Sequence, residues 1–150
     1  MPLRQLITDI VSQPFAEGDV VQSPFARRFG FRYRVVHGDL MLILPYRDEL
    51  IGSPIPARLH GGVIGGLLEY AGLFCVMQKL SQAGELPSGL PKPIGITVDF
   101  LREGKPHDIF AAAEVTRLGR RVANVRAEAW QSDRERPIAT AVLNVVVDVA

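Results

Sequence analysis

Apolar residues recur at Leu3, Leu6, Ile7 and Ile10/Val11, a helical spacing that predicts an N-terminal helix over about residues 2–13, stopped before Pro14. It is expected to pack on the outside of the domain. Two extended runs follow, 31–36 and 40–44, parted by His37-Gly38-Asp39, where glycine tolerates the positive φ of a hairpin turn. Between residues 46 and 59, Gly52, Pro54 and Pro56 predict a loop leading into the next element. From about Gly61 to Gln82 the apolar positions fall on nearly every side of a helix, so that helix should be enclosed by the rest of the protein. Residues 83–93, with three prolines and two glycines, read as an exposed linker. Four β-branched runs come after it, 94–101, 109–118, 121–131 and 137–147, separated by turn signals at Gly104-Lys105-Pro106, Gly119 and Ser132-Asp133. Long antiparallel strands after one buried helix describe an α+β domain, a sheet curled around that helix.

Composition narrows the classes of function. The 150 residues suit one domain, 1–150. Seventeen basic and sixteen acidic residues are interspersed, with no basic tract to follow a phosphate backbone, so no nucleic-acid partner is expected. The start, Met1-Pro2-Leu3-Arg4-Gln5 with Thr8, Asp9, Ser12 and Gln13 behind it, lacks the apolar core of a secretory leader. The longest apolar stretch, Val63 to Met77, is interrupted by Glu69 and is shorter than the ~20 residues that span a bilayer, so no membrane association is expected. The single cysteine, Cys75, has no internal partner for a disulfide, which suits the cytoplasm.

Candidate chemistry centres on the long helix. On a helical wheel Glu69 shares a face with Gly62, Gly65, Gly66, Gly72, Leu73 and Val76. Glycine inside a helix costs about 1 kcal/mol against alanine, so several on one face call for a close approach, by a ligand or by a packed neighbour. At the helix start, free N–H groups of Gly61 and Gly62 and the positive end of the helix dipole can stabilise an oxyanion on a substrate carbonyl. His60, just before them, either positions that turn or carbonyl or simply caps the helix. Gly61 and Glu69 are separated by eight residues, roughly 12 Å along the axis, too far to act on one carbonyl from one chain. Two such helices running antiparallel across a two-fold axis meet both distances, so the chemistry implies a dimer with two equivalent interface sites. Cys75 lacks a neighbouring histidine and reads as a small buried residue. Trp130 and the phenylalanines read as core, and Asp99 as facing water. No serine sits in a G-x-S-x-G elbow, and Gly61 to Gly66 lacks the strand and acidic residue of a dinucleotide fingerprint.

Three segments together resemble the hotdog-fold thioesterase superfamily in its phenylacetate-degradation (PaaI-like) branch. They are Leu59-His60-Gly61-Gly62-Val63-Ile64 followed by Leu68-Glu69, then Thr97-Val98-Asp99-Phe100-Leu101-Arg102, and Leu118-Gly119-Arg120-Arg121-Val122-Ala123. The similarity runs from about Pro24 to the C-terminus. It implies a hotdog fold, a homodimer that often pairs into a homotetramer, and hydrolysis of acyl-CoA without metal or redox cofactor. In that scheme the Gly61 amide polarises the thioester oxygen while Glu69 of the facing subunit attacks the thioester or activates water. Where many relatives carry Asn or Gln before the motif histidine, this chain has Ser53 and Pro54, and Ser53 is the shorter donor. For the substrate's phosphates, Arg102, Lys105, Arg120 and Arg121 are the basic candidates by motif position. A hydratase or dehydratase on the same fold, or an acyl-CoA-binding module without catalysis, are the alternatives.

Overall fold

The structure, a computed structural model, describes residues 2–85 and 89–147; residues 86–88 of the expected linker lie outside the described residues. At its centre is α3, Gly61–Gln82, with the bounds its apolar periodicity predicts. Leu67, Leu68, Phe74, Val76 and Met77 have essentially no solvent exposure. By length and composition this helix could cross a bilayer, yet most of its apolar surface is buried inside the protein.

A seven-stranded antiparallel sheet curls over α3 in the order β1-β2-β3-β7-β8-β9-β6. Its strands are β1 (Phe15–Asp19), β2 (Arg32–Val36), β3 (Asp39–Leu44), β6 (Lys92–Phe100), β7 (Ile109–Leu118), β8 (Val122–Trp130) and β9 (Ala139–Val146). The sheet turns one face to α3 because residues two apart point the same way. On β8 and β9, Ala123, Val125, Ala127 and Ala139, Ala141, Leu143, Val145 all lie buried on that side. Helix α1 (Leu3–Ser12) packs on α3 and β1 through the fully buried Leu6, Ile7 and Ile10, leaving its polar face to solvent.

Three features depart from the expectations. β1 and a short α2 (Pro24–Phe29) occupy a stretch whose pattern predicted nothing. Residues 46–59 are more ordered than a loop: a 3-10 turn, Asp48–Leu50, leads into a second, two-stranded sheet of β4 (Ile51–Pro54) and β5 (Ala57–Leu59). The prolines sit at the end of β4 and within its connecting turn, where no sheet donor is needed. Phe31, Phe74 and Trp130 are core as expected, but Phe15, Phe25 and Phe100 are substantially exposed. Phe15 lies on an edge strand, while Phe25 and Phe100 lean against α3 glycines, where there is no side chain to cover them. Asp99 faces solvent, and Cys75 is buried with its Sγ donating to the Ala113 carbonyl at 3.2 Å. Burial raises the Cys75 thiol pKa above its usual range, consistent with an inert core position.

Candidate active site

The start of α3 is pinned from two directions. The His60 amide donates to the Leu50 carbonyl and the Leu59 amide to the Gly104 carbonyl, each at 2.9 Å. The β4–β5 hairpin also lies against it: a Cβ on Gly52 would fall 2.9 Å from the His60 Cα, so only glycine lets the hairpin pack so close. His60 takes an extended backbone and caps the helix, its Nδ1 accepting the Gly62 N–H at 2.9 Å. Of the two amides expected to be free, Gly62 is therefore occupied. The Gly61 N–H has no acceptor among the described residues, and Gly61 lines a cavity of about 370 Å³ together with Ile64, Phe100, Leu101 and Arg102.

Two turns along α3, Glu69 is half-buried and forms neither a hydrogen bond nor an ion pair among the described residues. The glycines around it have separate roles. A Cβ on Gly65 would meet only Val98 of β6 at 3.9 Å, and one on Gly72 would press Leu143 of β9 at 3.1 Å. On the other flank a Cβ on Gly66 would reach the Phe25 ring of α2 at 2.9 Å. Close packing by neighbouring side chains thus accounts for Gly66 and Gly72, and Gly72, Leu73 and Val76 belong to the buried side of α3 rather than to an open one. The consequence for Glu69 is chemical. Partial burial strips water from its carboxylate, and this desolvation raises its pKa above the ordinary 4.5.

The sign of that shift gives a measurable expectation. With the folded pKa above the unfolded one, the native state holds the proton more tightly, so the charged form carries a cost that grows as pH rises through this window. Wild type should therefore lose stability relative to Glu69→Gln between about pH 4 and neutrality, and the two should converge at lower pH. Paired chemical denaturation curves at several pH values check it; parallel behaviour across the range would contradict a desolvated carboxylate.

The remaining candidates divide between two ends of the molecule. Ser53, on β4 opposite Arg58, is half-buried beside the start of α3, and no side-chain hydrogen bond of its own is formed among the described residues. Arg102 borders the Gly61 cavity, and Lys105 lies just beyond it. Arg120 and Arg121 are exposed at the β7–β8 turn, with the ten residues of β7, roughly 30 Å of strand, between them and that region. A single protomer therefore cannot gather all four cations round one ligand. Arg136 was missed from the sequence: the pairing of Phe100 with Ala139 brings its turn beside Arg102, and no spacing along the chain signals this.

A curved antiparallel sheet wrapped around one long central helix is the hotdog fold. The model of the acyl-CoA thioesterase N-terminal domain matches residues 52–146, and the chain belongs to that family. It is 31% identical over 124 residues to the medium/long-chain acyl-CoA thioesterase YigI of Salmonella typhimurium, covering 77% of this chain and 80% of that one. Among solved structures, a protein from Chromobacterium violaceum is 32% identical with a TM-score of 0.65, over 97% of this chain and 91% of that one. A phenylacetic acid degradation-related protein of Ralstonia eutropha JMP134 shares the fold at 22% identity and a TM-score of 0.71, over 94% and 98% of the two chains.

Proposed function

We propose that this thioesterase hydrolyses medium- or long-chain acyl-CoA at a site completed by a second copy of the chain, with the Gly61 amide of one protomer and Glu69 of its partner acting on the same carbonyl. The observation that carries the proposal is the distance within one helix. Gly61 has the open amide and Glu69 the unpartnered acid, yet eight residues of α3 hold them roughly 12 Å apart. The acyl range is suggested by the YigI relative's name.

The sheet supports a partner at β6. This strand ends the sheet order, so one side of its backbone is unpaired. Ile96 and Phe100 lie opposite the buried Leu143 and Ala139, so they point to the α3 side, yet they are 40% and 57% exposed. An apolar row on the helix side of a free edge strand, continuing into the open side of α3, is a surface for a second copy. An antiparallel pairing of two β6 strands sets the residue 92 end of one beside the residue 100 end of the other. It thereby carries the partner's Arg120–Arg121 turn toward Arg102.

In this arrangement the Gly61 N–H takes the charge that develops on the thioester oxygen, and Glu69 either attacks the carbonyl carbon or accepts the proton of the attacking water. If water attacks, the proton Glu69 takes from it passes to the departing sulfur and CoA leaves as the thiol with the free acid; if Glu69 attacks, CoA leaves first and a water then hydrolyses the resulting anhydride, releasing the acid and restoring the carboxylate. The test is thiol release over a panel of acyl-CoAs, with water loss from β-hydroxyacyl-CoA assayed alongside. Thiol release that is greatest on medium and long chains supports the reading; water loss without thiol release overturns it in favour of a hydratase. A second check is Ile96→Asp, which should sediment as a monomer and lose on the order of 10²-fold or more in turnover, since the partner's acid leaves with the partner. A fully active monomer would refute the shared site.

A further inference from the structure

Glycine at position 66 leaves a notch in the surface of α3, and the Phe25 ring fills it. A Cβ on Gly66 would fall 2.9 Å from the ring's Cζ, with the Phe31 ring 3.9 Å away behind it. Gly66 stands one turn before Glu69, a spacing that sets two residues side by side on a helix surface, about 5–6 Å apart. Tyr70, next in the chain after Glu69, stacks on Phe25 with 5.9 Å between centroids, and Phe31 meets the same ring edge-on at 5.7 Å. Phe31 and Tyr70 are buried, whereas Phe25 keeps 42% of its surface exposed. The acid therefore has an aromatic wall one turn away, and Phe25 is the part of it that a ligand meets.

That wall is fixed in place. Six residues form too few helical bonds to stay folded unaided, so the position of α2 depends on its ties. Ser23 caps it, the Oγ accepting the Ala26 N–H at 3.2 Å and sharing a buried hydrogen bond with the Tyr70 hydroxyl. At the other end Gly30 takes the left-handed conformation, and the Phe31 N–H donates to the Ala26 carbonyl at 3.0 Å. Arg47 adds a tie from outside, donating to the Arg28 carbonyl at 2.8 Å.

An apolar chain attached to a carbonyl at Glu69 has few directions open to it. Leu143 of β9 closes the helix at Gly72, and Val98 on the β6 flank belongs to the row that the second copy covers. The Gly61 end of the partner's helix meets the carbonyl itself. The α2 flank remains, and it is aromatic. We infer that Phe25 is the specificity-determining residue for the acyl chain: the chain runs from the carbonyl onto the exposed face of the ring, and the ring, by plugging the notch at Gly66, sets the longest chain that packs. The inference rests on the hydrolase reading above and fixes its acyl range. With the ring gone, the notch offers the Phe31 and Tyr70 rings to added methylenes, each of which gains about fourfold in affinity when buried.

The experiment is kcat/KM for thiol release over a ladder of saturated acyl-CoAs, with wild type, Phe25→Ala, Phe25→Trp and, as a control at an exposed ring on edge strand β1, Phe15→Ala. Phe25→Ala should move the optimum longer by about two methylenes, raising the ratio of long to medium chains roughly tenfold. Phe25→Trp should move it shorter, and Phe15→Ala should leave it where it is. Adding Gly66→Ala to Phe25→Ala places a methyl in the vacated notch and should bring the optimum part of the way back, a reversal that a purely structural role for Phe25 does not give. If Phe25→Ala fails to fold, Phe25→Trp decides, and an unmoved optimum there overturns the assignment. The same proteins are titrated calorimetrically with S-alkyl-CoA thioethers, which cannot be hydrolysed. Thiol release with one optimum in all variants removes the wall and leaves the hydrolase standing. No thiol release from any acyl-CoA, with longer thioethers bound more tightly by Phe25→Ala than by wild type, does the reverse.

Discussion

Glu69→Gln should reduce acyl-CoA turnover by roughly 10³-fold while leaving the protein folded, within the 10²–10⁴-fold range of a positioned acid or base. The substitution keeps the volume of the side chain and removes only its charge and basicity. Nothing among the described residues pairs with the carboxylate, so no hydrogen bond or ion pair is broken by the change. For wild type, kcat/KM should fall on the acid side with an apparent pKa above 4.5, since desolvation delays loss of the Glu69 proton. Thiol-release kinetics from acid to neutral pH, with thermal melts of both proteins, check the prediction. Undiminished turnover in Glu69→Gln would remove the carboxylate from the mechanism.

The largest loss of stability should come from Phe74→Ala, at about 3–5 kcal/mol. Phe74 has no solvent exposure and lies midway along α3, its ring tilted against Tyr70 at 6.4 Å between centroids. Tyr70 is in turn tied to Ser23 through its hydroxyl and stacked on Phe25, so a void at Phe74 loosens the support of α2 as well. Phe74 belongs to the core that α3 forms with the sheet and α1, and a close-packed interior fills such a void only in part. Against the 5–15 kcal/mol of a typical domain this is a large fraction. Urea unfolding of the variant, compared with Phe25→Ala at the half-exposed ring, should show the buried site costing more.

Elements long enough to repeat their pattern were legible in the sequence. α3 and β7 have the bounds their apolar residues predict, because burial on one or all sides repeats over many turns or pleats. α2 has only six residues, too few for a period. Its signals were of another kind: Ser23 as cap with Pro24 behind it, and Gly30 in the left-handed conformation at the end. β1, Phe-Ala-Glu-Gly-Asp, has little strand propensity and is held by its pairing with β2. The glycine cluster was visible, but a helical wheel cannot tell a ligand from a phenylalanine, and at Gly66 it is Phe25 that arrives. His60 was read with two roles open, and its bond to the Gly62 amide shows the capping one. Motif order grouped Arg102 with Arg120 and Arg121, whereas strand direction sends them to opposite ends of β7.

The family match begins at residue 52, after α1, β1, α2, β2 and β3 have already been laid down. A chain cut to that matched stretch would strip Leu6, Ile7 and Ile10 from the back of α3 and leave β7 without its neighbour β3. The borders of the family match and of mechanical integrity thus differ here. For anyone trimming, fusing or transplanting this enzyme, the first fifty residues are scaffold and belong inside the cut.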